Sequence, residues 1–174
     1  MNNLGVLNDT TFYLIDKEGA RHDSWSDISD ELDAGGRMIS TDFMKLDVEK
    51  EEDWFETRAW LKSDIFIASF FFSELHRIKE KARVFFLSVI EKMKPGAYFI
   101  YIDNNAEPFT SDFHRLAEAG GLKIVKQTTD TRLVLESGED SAAIQKYKDL
   151  FGSPRLTANV VMRVYQKSVE ESGE

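Results

Sequence analysis

The chain has 174 residues, 42% of them hydrophobic, no cysteine, and a formal net charge of -9. That size and hydrophobic share suit one folded domain with a real core. The charge argues against a dominant nucleic-acid or anionic-membrane partner, because a polyanion is repelled by the averaged field, and the lack of cysteine removes disulfides, thiolate catalysis and Cys-ligated zinc.

Met1 is followed by Asn-Asn-Leu-Gly, with no basic start and no apolar run, so no secretory signal is expected. The first strand signal is Phe12 to Ile15, closed by the turn-formers Asp16-Lys17-Glu18-Gly19. Ser26 to Leu32 reads as a weak helix ended by Gly35-Gly36. A second strand is predicted at about Met38 to Leu46, stopping at Asp47-Val48. Trp54, Phe55, Ala59 and Trp60 then recur near helical spacing behind an acidic first turn, which predicts a helix. Ile65 to Phe72 is a continuous apolar run of strand length, far short of a membrane span. A helix from about Ile78 to Lys92 carries one apolar stripe of Ala82, Phe85, Phe86, Val89, Ile90 and Met93. Pro95-Gly96 stops it and feeds a strand, expected to be buried on both faces, that ends at Asp103-Asn104-Asn105. A capped helix, a Gly120-Gly121 break and a further strand follow. Thr128 to Thr157 is expected to be irregular except for a helix from about Ser141 to Phe151, and the last strand is about Asn159 to Gln166. Residues 1–167 are thus expected to form one α/β domain, and 168–174 a disordered acidic tail.

An acidic residue closing the strand Tyr13-Leu14-Ile15-Asp16, a strand ending at Asp47-Val48, the stretch Asp64 to Phe72 followed by Ser73-Glu74-Leu75, and a helix running into Lys94-Pro95-Gly96 form an ordered set. From about Phe12 to Gln166 this set resembles the class I S-adenosylmethionine-dependent methyltransferases. The resemblance implies a Rossmann-like α/β sheet with helices on both faces, mostly parallel with an antiparallel last strand, and S-adenosylmethionine as cofactor. It implies a ribose-binding role for Asp16, an adenine-side role for Asp47 with Val48, and contact with the methionine end or the substrate for Ser69, Phe70, Ser73 and Glu74. Asp103 and Asn104 join the substrate side because open α/β sheets bind ligands at the carboxyl ends of their strands.

The family's glycine-rich loop after its first strand is absent from "MNNLGVLND". The chain is therefore read as beginning inside the fold, shortened by one N-terminal βα unit of roughly 30 residues. Since the family's first strand is central, its loss leaves the Phe12 and Ile65 strands each with an unpaired edge. They could pair directly, accept a strand from a second copy, giving a homodimer, or bind another polypeptide.

Local readings compete at every position. Asp16 and Asp47 suit turns, Ser73-Glu74 suits a cap, and Trp25 suits ordinary packing. His22, His76 and His114 show no metal-ligand spacing, and no catalytic triad or phosphate-binding loop is suggested. Methyl transfer asks for none of these, since the sulfonium already carries its leaving group and the protein mainly aligns the reactants. The reading is a cytoplasmic S-adenosylmethionine-dependent methyltransferase acting on an unidentified small-molecule or protein acceptor, with no metal, nucleic-acid or membrane partner. The alternatives are a non-catalytic interaction module of the same fold and, third, another doubly wound nucleotide-binding domain.

Overall fold

The computed structural model describes residues 10–34, 39–55, 59–134, 145–146, 148–150, 152 and 157–169. The expectations for the N-terminal segment before Thr10, for Gly35-Gly36, for 135–144 and 153–156 of the irregular stretch, and for tail residues 170–174 fall outside them. The chain divides into two compact units, Met1–Trp60 and Leu61–Glu174.

In the first unit, β1 (Thr10–Asp16) and β2 (Ile39–Lys45) form a two-stranded parallel sheet in unbroken register, from Thr10 opposite Ile39 to Asp16 opposite Lys45. The connection between them is α1 (Arg21–Ala34), longer at both ends than the predicted helix. The His22 ring meets Phe43 edge-on at 5.5 Å, and Thr41 Oγ1 donates to Ser29 Oγ at 3.0 Å, so α1 is tied to β2 by one aromatic and one polar contact. The helix predicted around Trp54 is replaced, among the described residues, by two short 3-10 turns at Glu51–Asp53 and Ala59–Lys62. Trp54 is buried and its indole N–H donates to the Val48 carbonyl at 3.1 Å. The spacing of the aromatics was a burial signal, and a tryptophan pinned to the preceding loop met it without a regular helix.

The second unit holds a four-stranded sheet in the order β3 (Ile65–Ser69), β4 (Tyr98–Asn104), β6 (Thr157–Lys167), β5 (Leu122–Val134). β3 and β4 are parallel, and β6 runs antiparallel to both β4 and β5. The parallel pair with an antiparallel last strand follows the predicted topology. β1 and β3 belong to separate sheets. β5 extends through Val134 into the stretch expected to be irregular, because its long partner β6 satisfies its backbone groups there. Residues 145–146 and 148–150 are helical, within the predicted 141–151 helix. Ser168, assigned to the tail, donates its amide to the Gly121 carbonyl at 3.3 Å.

The apolar run 65–72 is not one strand. It ends as β3 at Ser69, turns at Phe70, and enters α2 (Phe71–Glu74), a single helical turn that leads through a 3-10 turn, Leu75–Ile78, to α3 (Lys79–Lys92). Nor is β3 buried on both faces: Phe66 and Ala68 are buried, whereas Ile65, Ile67 and Ser69 are exposed. β4, expected to be buried on both faces, instead alternates in the same phase, with Phe99, Tyr101 and Asp103 buried and Tyr98, Ile100 and Ile102 more open.

The buried phase of the sheet meets α3 and α4 (Phe109–Ala119). Phe113 of α4 is the centre: its ring stacks on Tyr101 at 4.2 Å and contacts Phe72, Phe86, Phe99 and Tyr165 within 6 Å. Each fully buried aromatic of this kind contributes about 1.5–3 kcal/mol by leaving water. At the end of α4 the chain passes so close to α3 that a Cβ on Gly120 would lie 2.5 Å from Ile90 Cγ2. That glycine is required by approach. Gly121 beside it holds φ +80, the left-handed geometry that turns the chain into β5.

Candidate functional site

The carboxyl ends of β3 and β4 are built around Asp103, whose side chain is fully buried. Its Oδ2 accepts from the Ser73 amide at 2.9 Å and its Oδ1 from the Asn104 amide at 2.7 Å. A buried carboxylate is tolerated only when hydrogen-bonded, and charge-assisted bonds to backbone amides are the stronger kind. Above it, Phe70 takes the left-handed conformation, φ 53 and ψ 19, which a residue with a Cβ adopts at a cost of roughly 1–2 kcal/mol. The Phe70 amide still donates to the Ile102 carbonyl at 2.7 Å, and Ser73 Oγ donates to the Phe70 carbonyl at 3.3 Å. Asn104 Nδ2 donates to Ser73 Oγ at 3.4 Å. Phe70, Ser73, Asp103 and Asn104, expected on the substrate side from separate stretches of sequence, therefore meet in one cluster. Ser69 lies exposed at its margin, and Glu74 is exposed and has no part in it among the described residues.

Two neighbours of this cluster were not anticipated. Tyr101 is fully buried two residues before Asp103, and the period of a strand puts the two on one face. Burial, reinforced by the negative charge of Asp103, pushes the Tyr101 hydroxyl far above its ordinary range, so it stays protonated and donates to the Phe109 carbonyl at 3.3 Å. Arg163 of β6 donates to the Thr110 carbonyl in the first turn of α4 at 2.7 Å and to Gln127 Oε1 in the middle of β5 at 3.1 Å. Strand periodicity could have found Tyr101. The pairing of β6 between β4 and β5, which brings Arg163 in, has no local signal.

In the first unit, Asp16 and Asp47 lie at the carboxyl ends of β1 and β2. Asp16 Oδ1 accepts from the Glu18 amide at 2.9 Å, and Oδ2 pairs with Arg21 Nη1 at 2.9 Å. Asp47 Oδ1 accepts from the Glu49 amide at 3.0 Å, while its Oδ2 has no partner among the described residues. The Leu46 amide donates to the Asp16 carbonyl at 3.0 Å, which sets the two aspartate turns side by side. Val48 is buried, and its carbonyl accepts the buried indole N–H of Trp54. A Cβ on Gly19, between β1 and α1, would meet nothing within 4 Å. Trp25 is exposed on α1. Among the described residues, no group of three or more His, Asp or Glu side chains is arranged to hold a metal ion, and no helix is long and apolar enough to cross a membrane.

No protein-family model matches the chain, and no curated protein matches it in sequence. Solved structures do match in shape. The YcgJ protein of Bacillus subtilis aligns over 94% of this chain and 93% of its own, with a TM-score of 0.55 at 10% identity. A SAM-dependent methyltransferase of Methanosarcina mazei aligns over 92% and 83%, with a TM-score of 0.53 at 11% identity. The N-methyltransferase NodS of Bradyrhizobium japonicum aligns over 90% and 73%, with a TM-score of 0.51 at 8% identity. The resemblance drawn from the order of strands and turns is thus met in three dimensions: the chain has the Rossmann-like fold of the class I S-adenosylmethionine-dependent methyltransferases.

Proposed function

We propose that the chain serves methyl transfer from S-adenosylmethionine to an acceptor, with Asp16, Asp47 and Val48 on the nucleoside side. The observation that carries this reading is the position of Asp16 and Asp47: two carboxylates at the carboxyl ends of adjacent parallel strands, the place where such sheets take ligands. The donor set fits the nucleoside. A carboxylate offers about four lone-pair sites, so Asp16, with two partners, can accept ribose hydroxyls as well, and Asp47 Oδ2 can accept an amine. When bound, the cofactor supplies a methyl group already activated by its sulfonium.

The chain's own residues then bind, orient and exclude water. Ser69 is assigned to the methionine end of the cofactor, and Phe70, Ser73, Glu74, Asp103 and Asn104 to the acceptor side. Within that group Asp103 holds the turn rather than the acceptor, since its side chain is fully buried beneath the two backbone amides that it accepts. Ser73 and Asn104 supply a hydroxyl and an amide at the rim, and Phe70 an apolar wall. No group here is asked to act as a general base, and alignment alone is worth about 7–11 kcal/mol in well-oriented reactions. The acceptor is taken to be a small molecule or a protein side chain.

A second reading, a non-catalytic interaction module, is favoured by the Asp16–Arg21 ion pair, which gives Asp16 a purely local use. Calorimetric titration separates the two. The methyltransferase reading expects saturable heat with S-adenosylmethionine, weakened about tenfold or more by Asp16→Asn or Asp47→Asn, because each removes a charged hydrogen-bond acceptor. Arg21→Ala is expected to leave binding intact. A folded chain giving no heat with the cofactor leaves the interaction module as the answer.

A further inference from the structure

The sheet of the second unit has two edges of different kinds. β5 is guarded: its register against β6 shifts between Ile124 and Lys126 and again between Thr128 and Thr131, and it carries Lys123 and Lys126. Bulges and lysines are the usual means by which an edge refuses another strand. β3 has neither. Its sequence, Ile65-Phe66-Ile67-Ala68-Ser69, contains no charge and no proline and keeps unbroken register with β4.

The phase of its peptide groups follows from the bonds at its ends. Tyr98 donates to the Asp64 carbonyl at 2.8 Å and Phe70 donates to the Ile102 carbonyl at 2.7 Å, so the even-numbered peptide groups face β4. Those of Ile65, Ile67 and Ser69 point away, and among the described residues they pair with nothing. The same residues expose apolar side chains, Ile65 by 54% and Ile67 by 62%. An outward row of amides and carbonyls under an open isoleucine pair is a surface that binds by strand addition.

We propose that this edge is a homodimer interface, in which β3 of one copy pairs antiparallel with β3 of a second copy about a two-fold axis through Ile67. That register sets Ile67 opposite Ile67 of the second copy and Ile65 opposite Ser69, and gives every outward amide and carbonyl of the strand a partner. The charges select the same direction. Before the strand stand exposed Lys62 and the ion pair of Asp64 with Lys94, a local excess of one positive charge. The first charged side chain after it is exposed Glu74. Antiparallel pairing brings the basic end of one copy beside the acidic end of the other, whereas parallel pairing would set like upon like. The strand itself is uncharged, so the net charge of -9 does not act at the centre of the contact. A two-fold, self-complementary contact closes on itself and is the commonest symmetric assembly.

Sedimentation equilibrium over a wide concentration range tests the association, and the Ile67 position tests the place. Ile67→Lys, at an already exposed site, sets like charges opposite each other and is expected to raise the dimer dissociation constant about tenfold or more. Ile67→Pro removes an outward N–H without costing a bond to β4, and is expected to abolish dimerisation. Because the chain has no cysteine, Ile67→Cys introduces a lone thiol. Directly opposed residues of a hydrogen-bonded antiparallel pair have Cα atoms about 5.5 Å apart, within disulfide reach, so oxidation is expected to yield a covalent dimer. Val125→Cys, on the guarded edge, is expected to give none. Circular dichroism identifies the folded variants, and the lysine and cysteine variants carry the test if the proline variant does not fold. A monomer at all concentrations overturns the proposal, as does a dimer untouched by a folded Ile67→Lys, or cross-linking through Val125→Cys that equals that through Ile67→Cys.

Discussion

Asp103, the penultimate residue of β4, accepts the backbone amide of Ser73, thirty residues earlier in the chain, at 2.9 Å. The single bond ties the exit of one strand to the turn after its neighbour and holds Phe70 in a conformation it would not otherwise keep. The rim of Ser73, Phe70 and Asn104 therefore depends on a carboxylate that no ligand can reach.

Replacing Asp103 should cost more than its size suggests. Asp103→Ala leaves two amides without their acceptor and is expected to destabilise the chain by about 2–4 kcal/mol. Asp103→Asn keeps one acceptor and should cost about half as much. Urea midpoints at constant slope measure both. A loss below about 0.5 kcal/mol for the alanine variant would mean that the turn holds itself.

Alkaline pH should expose the buried tyrosines. Burial raises both Tyr101 and Tyr165 above the ordinary value near 10. Below about pH 10 neither the folded nor the unfolded chain has ionised them, and their contribution is fully present. Above it the unfolded chain releases protons that the folded chain retains, so stability falls as pH rises. Tyr101→Phe is expected to flatten that fall, while costing about 1 kcal/mol at neutral pH through the lost bond to Phe109. Unfolding midpoints for the variant and the parent that decline in parallel from about pH 9 to 11 would assign the alkaline loss to other groups.

Gly120→Ala places a methyl where Ile90 Cγ2 stands, and is expected to cost about 1–3 kcal/mol by overpacking α4 against α3. Ile90→Ala opens that space at its own cavity cost. Combined, the two should cost less than their sum, with a coupling of about 0.5 kcal/mol or more. Strict additivity would mean that the helices separate freely at this point.

Most of the scaffold was legible because its signals are local. The stripe from Ala82 to Ile90, the Pro95-Gly96 turn and the Gly120-Gly121 break each name their element by spacing or by backbone demand. The run from Ile65 to Phe72 misled for a physical reason: apolar residues continue unbroken across a strand end, a left-handed turn and the first turn of a helix, and periodicity cannot mark a boundary that hydrophobicity does not. The Trp54 segment misled in the opposite way, since aromatic spacing reports burial and not hydrogen bonding. At the candidate site, Phe70, Ser73, Asp103 and Asn104 could be nominated singly from strand ends. That Asp103 is the hidden support for the others depends on the β3–β4 pairing, a contact between distant stretches that no window of sequence contains.

The measurement that bears most directly on the proposed function is an amide chemical-shift titration of the isotopically labelled chain with S-adenosylmethionine. The account predicts saturating shifts centred on Asp16 to Glu18 and Asp47 to Glu49, the two aspartate turns, and a marked weakening of both sets in Asp16→Asn. A folded chain whose amides at these turns do not move at millimolar cofactor, or whose shifts survive Asp16→Asn unchanged, would contradict it.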